Sequence, residues 1–162
     1  MFVEFAPGDC RFVHEVAKEV TCAYGVDTSD QRNPADSNPD NFRLIVYDGY
    51  NLDAVGSNSI DLVFSNHLIE HFHPEDTYHH FELVHRILKA GGRYVFRTPH
   101  ALTGPHDVSK YFSYEAEGFH LKEWTYTEIG RMLLDMGYSG FHTYWNARDM
   151  MIRLPCAYFS LC

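Results

Sequence analysis

Residues 3–10 read Val-Glu-Phe-Ala-Pro-Gly-Asp-Cys, and their types and spacing suit them to hold a small polar ligand. A short apolar strand ends at Glu4, a tight turn holds Gly8, and a helix opens at Asp9 or Cys10. Main-chain N–H groups and a helix N-terminus then lie exposed at a sheet edge. Residues 24–27, Tyr-Gly-Val-Asp, end a second strand at Asp27, at the distance where nucleoside-binding folds place an acceptor for ribose hydroxyls. Proton chemistry has its own candidates. His67, Glu70 and His71 follow one apolar strand, and His100, His106 and Asp107 follow the next. Histidine exchanges protons near neutral pH, and ligands of open parallel sheets bind beyond the strands' carboxyl ends.

Those residues need a sheet that brings strand ends to one rim. Strands are predicted over 2–5, 21–26, 44–47, 60–65 and 94–97, and the runs at 44–47 and 60–65 are continuous, as expected of parallel strands covered on both faces. Phe12, Val13, Val16, Ala17 and Val20 form one helical face after the first strand. Pro74 opens a second helix whose stripe is Phe81, Val84, Ile87 and Leu88, with Gly91 and Gly92 stopping it. His79, His80 and His85 on that helix are surface or packing residues. Between these, 28–41 is polar and broken by Pro34 and Pro39. After a long connection, Thr125 and Glu128 have capping-box spacing, and Ile129, Met132, Leu133 and Met136 face the core of the helix they open. The last two strands are expected at 141–145 and 157–161. Strands alternating with helices give an α/β three-layer sandwich.

The chain has 162 residues, and 45% of them are hydrophobic, which suits one packed domain spanning 1–162. A formal charge of −9 works against nucleic acid, whose binding needs a basic surface. Cys10, Cys22, Cys156 and Cys162 form no C-x-x-C pair and read as reduced thiols. No run reaches the roughly 18 apolar residues of a membrane span, so a cytoplasmic protein without membrane attachment is expected.

Val3–Cys10 resembles motif I of the class I S-adenosylmethionine-dependent methyltransferases, acid-x-Gly-x-Gly-x-Gly. The resemblance runs on through Tyr24–Asp27, Asp48 of Val-Tyr-Asp-Gly, residues 60–71 and residues 88–99, and is closest to the type 11 domains. Ala6 and Cys10 stand where glycines are usual. The resemblance implies a Rossmann-like, mostly parallel seven-strand sheet with the last strand antiparallel, and S-adenosyl-L-methionine as methyl donor. It places Ala6, Gly8 and the rest of that turn against the methionine half and Glu4 beside the ammonium. Asp27 falls on the ribose and Asp48 on the adenine amino group, with Gly49 allowing close approach; the carbonyl of Ser65 or Asn66 faces the ammonium. Members commonly carry one or two helices before motif I. The opening on the first strand and the apolar residues 159–162 therefore suggest a chain trimmed at both ends, or a cleft open on one side.

Methyl transfer needs a base only when the acceptor loses a proton. A small-molecule acceptor attacked through oxygen, nitrogen or carbon is expected, with Glu70, His71 and His100 as the catalytic candidates. Tyr111, Phe112, Tyr114, Phe119 and Trp124 either wall an apolar acceptor pocket or, as favoured, pack their own loop down. His67 to His71 spells the inverted zinc-peptidase motif H-x-x-E-H, but His67 directly follows a buried strand and no glutamate follows Glu128. No metal site is assigned, although the segment resembles some quinone-related O-methyltransferases in which this region holds a divalent metal. A nicotinamide fingerprint would need glycines at Ala6, Gly8 and Arg11. Ser65-Asn66-His67-Leu68 differs from the Asn/Asp-Pro-Pro-aromatic turn of nucleobase amino methyltransferases. The remaining alternative is a non-catalytic methyltransferase-like binding module.

Overall fold

Every residue of β1 (Phe2–Phe5) is buried, which fits a strand at the centre of a sheet. In this computed structural model, which describes residues 1–147 and 150–155, β1 lies between β2 (Ala23–Asp27) and β4 (Ile60–Asn66). The sheet is completed by β3 (Phe42–Val46) and β5 (Leu88–Arg97) in the order β3-β2-β1-β4-β5, all neighbours parallel. Parallel pairing sends the carboxyl ends of all five strands to one rim.

Helix α1 (Arg11–Ala17) covers one face: Cys10, Val13 and Ala17 pack with Phe2, Ala23 and Phe42. On the opposite face lies α2 (Pro74–Ile87), whose Phe81 meets Tyr94 and Phe96 edge-on, with ring centroids 5.8 and 5.6 Å apart. Pro74 sits in the first turn of α2, where a missing N–H leaves no helix hydrogen bond unmade. Residues 28–41 form turns and bends without a helix, as their prolines require.

Three expectations need correction. The parallel sheet has five strands where seven were expected. β6 (His142–Ala147) and β7 (Met150–Pro155) pair antiparallel with each other in a separate two-stranded sheet. The two strands are close in sequence, and pairing such neighbours costs little chain entropy. The expected strand at 157–161 lies outside the described residues. Second, Gly91 and Gly92 do not end a helix. α2 stops at Ile87 and β5 starts at Leu88, with a register irregularity where Leu88 faces Ile60 and Arg93 faces Leu62. A Cβ on Gly92 would sit 2.9 Å from Lys89 O and 3.0 Å from Ile60 O, so only glycine fits the bulge. Third, the strands at 44–47 and 60–65 are not covered on both faces throughout, since Val46 and Leu62 are exposed.

The chain divides into two units, Met1–Thr98 and Pro99–Cys162. The second contains α3 (Tyr126–Asp135), opened by the expected capping box. Thr125 Oγ1 accepts the Glu128 N–H and Glu128 returns a bond to the Thr125 N–H. Ile129, Met132 and Leu133 are its buried face. Among the described residues, no helix is long and apolar enough to cross a membrane.

Candidate functional site

The turn after β1 sits at the carboxyl rim and is held by the strand beside it. The Ala6 N–H donates to Val26 O at 2.8 Å, and the Gly8 N–H points at Asp27 Oδ2 at 3.4 Å. Asp27 is buried, and its Oδ1 accepts the N–H groups of Thr28 (2.7 Å) and Ser29 (3.3 Å). The turn's Pro7 fits because Gly25 has no side chain; a Cβ there would lie 3.1 Å from Pro7 Cγ. Ala6, Gly8 and Cys10 all hold left-handed backbone, with φ of 53°, 54° and 64°. These are the three motif positions where glycine was expected, so the backbone keeps a glycine-type path through two residues that are not glycine.

Glu4 is 6% exposed, and its Oε2 has no hydrogen-bond partner. Burial pushes its carboxyl up to about 7; the Val13 backbone N–H opposes the rise and Asp9 adds to it. A buried carboxylate oxygen with an unused lone pair suits a ligand ammonium. Asp48 is exposed and closes a turn, its Oδ1 accepting from Asn51 at 2.7 Å and Tyr50 at 2.9 Å. Those bonds hold its carboxyl below the usual range. Gly49 beside it has φ 93°.

At the end of β4, Ser65 is buried and Asn66 exposed. Ser65 Oγ lies 2.7 Å from Tyr94 Oη, which lies 2.7 Å from Nε2 of His80. Burial lowers the His80 imidazole to about 3, so this relay is neutral and structural. The i, i+3, i+4 phase shared with Thr77, Phe81 and Val84 marks His80 as inward-facing.

The next turn holds a carboxylate–imidazole pair. Glu70 is fully buried; Oε1 lies 2.9 Å from His67 Nδ1 and Oε2 accepts Thr98 Oγ1 at 3.0 Å. His67 has φ 53° and donates its N–H to Arg97 O at 2.9 Å. His71 is exposed. Sequence reasoning placed His67, Glu70 and His71 together at this rim but kept only Glu70 and His71 as the catalytic candidates, although the H-x-x-E spacing within one turn was visible.

In the second unit, His100 serves the backbone. Its Nδ1 accepts the Leu102 N–H at 3.2 Å, and its Nε2 lies 3.3 Å from the Tyr126 N–H. Burial, helped by His106, lowers its imidazole pKa. Glu123 is buried between His106 Nδ1 (3.0 Å) and His120 Nδ1 (2.8 Å). Asp107 accepts the N–H groups of Ser109, Gly118 and His120. Burial raises its carboxyl, but these bonds outweigh it and hold it well below the usual range. Polar bonds therefore frame the long connection, and four of its five aromatics are exposed. Tyr111, Phe112, Tyr114 and Phe119 are exposed, and Trp124 alone of that group is buried. A loop held by buried carboxylates has no need of apolar packing to keep its shape.

Solved structures of similar fold include methyltransferases. One is the complex of the Haloferax volcanii Trm112 methyltransferase activator with a methyltransferase (20% identity, 92% of this chain, 66% of that one, TM-score 0.72). Another is a SAM dependent methyltransferase from Archaeoglobus fulgidus (18%, 90%, 64%, TM-score 0.66). A third is the 1,6-didemethyltoxoflavin-N1-methyltransferase of Burkholderia thailandensis with bound 1,6-didemethyltoxoflavin and S-adenosylhomocysteine (17%, 88%, 63%, TM-score 0.64). The chain thus spans 66%, 64% and 63% of the lengths of these proteins. No curated protein matches it by sequence. Residues 3–96 match the family described as methyltransferase domain, more than half of the chain, and the chain belongs to that family, whose methyl donor is S-adenosylmethionine.

Proposed function

We propose that this chain transfers the methyl group of S-adenosylmethionine to a small-molecule acceptor through oxygen, nitrogen or carbon. The 3.4 Å approach of the Gly8 N–H to Asp27 Oδ2 carries the reading, because it puts turn and acidic strand end on one rim. The donor site would be Glu4 for the ammonium, the turn of Ala6 and Gly8 for the methionine half, and Asp27 for the ribose. Asp48 and Gly49 would take the adenine edge, with Asn66 closing the site from β4. When bound, the donor supplies an electrophilic methyl on a positively charged sulfur. The residues' part is to bind, align and exclude water. The unpartnered Glu4 Oε2 is the feature of this cradle that fits a cation. Glu70 and His71 stand on the acceptor side of the same rim. The net charge of −9 supports an acceptor other than nucleic acid.

A second reading is a non-catalytic or partner-dependent module. The exposed aromatics Tyr111, Phe112, Tyr114 and Phe119 favour it, as does the activator found with the Haloferax volcanii neighbour. Calorimetric titration separates the two. The catalytic reading expects heat with both S-adenosylmethionine and S-adenosylhomocysteine, and Asp27→Ala should weaken binding by about 1–3 kcal/mol, the cost of unpaired ribose hydroxyls. Absence of heat for either ligand leaves the inert module.

A further inference from the structure

We propose that His67 is the proton acceptor of this site and Glu70 its positioning residue, so that the acceptor molecule is a protic one that loses a proton as it is methylated. The inference rests on the methyltransferase reading and deepens it by naming a base and a substrate class.

Glu70 cannot itself be the base. It is fully buried, and its two oxygens are engaged by His67 Nδ1 at 2.9 Å and Thr98 Oγ1 at 3.0 Å. His67 is different: its side chain is 43% exposed. A carboxylate on Nδ1 fixes the tautomer with the proton on that nitrogen, which leaves the Nε2 lone pair as the pair's outward face. The same arrangement stabilises the imidazolium once Nε2 takes a proton. The backbone supports the placement. His67 holds left-handed φ of 53°, pinned by its N–H bond to Arg97 O, and strained backbone of this kind gathers at functional sites. It directly follows β4, whose Ser65 pairs with Phe5 of β1, one residue before the turn at Ala6. The charged and titratable neighbours on its supporting elements are Glu70 and His71 in its own turn and Arg97 at the end of β5.

In the step, a hydroxyl acceptor's oxygen forms the new bond to the methyl carbon while the carbon–sulfur bond breaks and its electron pair stays on sulfur. The O–H bond breaks, its pair stays on oxygen, and the proton moves to His67 Nε2. The positive charge that leaves the sulfonium is matched by the imidazolium, which faces the Glu70 carboxylate.

The test has a spectroscopic and a kinetic arm, both on the full chain. Long-range ¹H–¹⁵N spectra with S-adenosylhomocysteine should show neutral His67 protonated on Nδ1, with that tautomer depleted in Glu70→Gln; protonation on Nε2 overturns the proposal. In the kinetic arm, S-adenosylhomocysteine release is followed with catechol and 4-hydroxybenzoate against N,N-dimethylaniline, which has no proton to lose. Turnover of a hydroxyl probe, falling by about 10²–10⁴ in His67→Gln at unchanged S-adenosylhomocysteine affinity, supports it. Glu70→Gln should lower kcat and leave the KM for S-adenosylmethionine unchanged. Turnover of the aniline, turnover of no hydroxyl probe, or a His67→Gln rate within threefold of the parent overturns it. A chain that binds neither donor nor product would instead remove the methyltransferase reading itself.

Discussion

Ala6 and Cys10 share a backbone conformation and differ in where their side chains go, which makes opposite outcomes for the same replacement by glycine. Both are left-handed, at φ 53° and 64°. An L-residue there is strained by roughly 1–2 kcal/mol, and glycine releases that strain. Against this, glycine adds unfolded-state entropy of about 0.4–1 kcal/mol. At Ala6 the side chain is exposed, so nothing else enters the balance. Ala6→Gly should stabilise by about 0.5–1 kcal/mol, a rise of roughly 1–4 °C in melting temperature for a chain of this size.

Cys10 is fully buried among Phe2, Val13, Ala17, Ala23 and Phe42. Removing its thiol and methylene forfeits about 1–2 kcal/mol of burial. Cys10→Gly should therefore come out destabilised, by about 1 kcal/mol at mid-range and up to about 2, despite the same relief of strain. Urea titration of the parent and both variants, followed by circular dichroism, reads the signs directly. If both variants shift the same way, side-chain burial does not distinguish the two positions and the reasoning fails. A destabilised Ala6→Gly would deny that the turn is strained at all.

Two further outcomes follow from buried polar groups. Burial raises the Glu4 carboxyl from 4.5 to about 7, so between those pH values the native state holds a proton that the unfolded chain has released. The associated stability, about 3 kcal/mol by linkage, is complete below pH 4.5 and lost as pH rises through 7. Glu4→Gln should flatten that window in a series of urea titrations, and a slope equal to the parent's would clear Glu4 of the effect. Tyr94→Phe strips the shared partner from Ser65 Oγ and His80 Nε2 and should cost about 1–3 kcal/mol in the same assay; an unchanged midpoint would show the relay contributes nothing.

The sheet was legible because strands near its centre leave short, largely apolar runs; β1 is apolar at three of its four positions, with Glu4 the exception. The rim was legible with it, since parallel strands fix which ends meet. Glycines misled. Gly91 and Gly92 after a helical stripe have the signature of a helix stop, yet they sit inside β5, where Gly92 lets the chain pass the Lys89 and Ile60 carbonyls. A stop and a bulge ask for the same residue, and only the neighbouring strand tells them apart. Partnerships across long separations left no trace. Thr98 is 28 residues from Glu70, and nothing in either one's surroundings announces the other. The exposed aromatics of the connection were misjudged for a related reason. Their exposure depends on Asp107 and Glu123 framing the loop from within, and a carboxylate's partners cannot be read from its own position.

Ala6 and Cys10 bear on whether the site has decayed. Read as letters, they are lost glycines, and lost glycines suggest a cradle on its way out. Read as dihedral angles, they are not losses, because the cradle's function belongs to the direction of its N–H groups. That direction depends on φ and ψ, and all three motif positions keep it. Holding left-handed backbone with a Cβ present costs free energy that a decaying turn would shed by relaxing to an ordinary conformation. Here the strain is retained, with the Ala6 N–H bonded to Val26 and the Gly8 N–H aimed at Asp27. Those bonds tie the bend to β2, so relaxing the turn would pull it away from Asp27. The two substitutions therefore weigh less toward an inert module than their letters suggest, and the burden of that reading passes to the acceptor side.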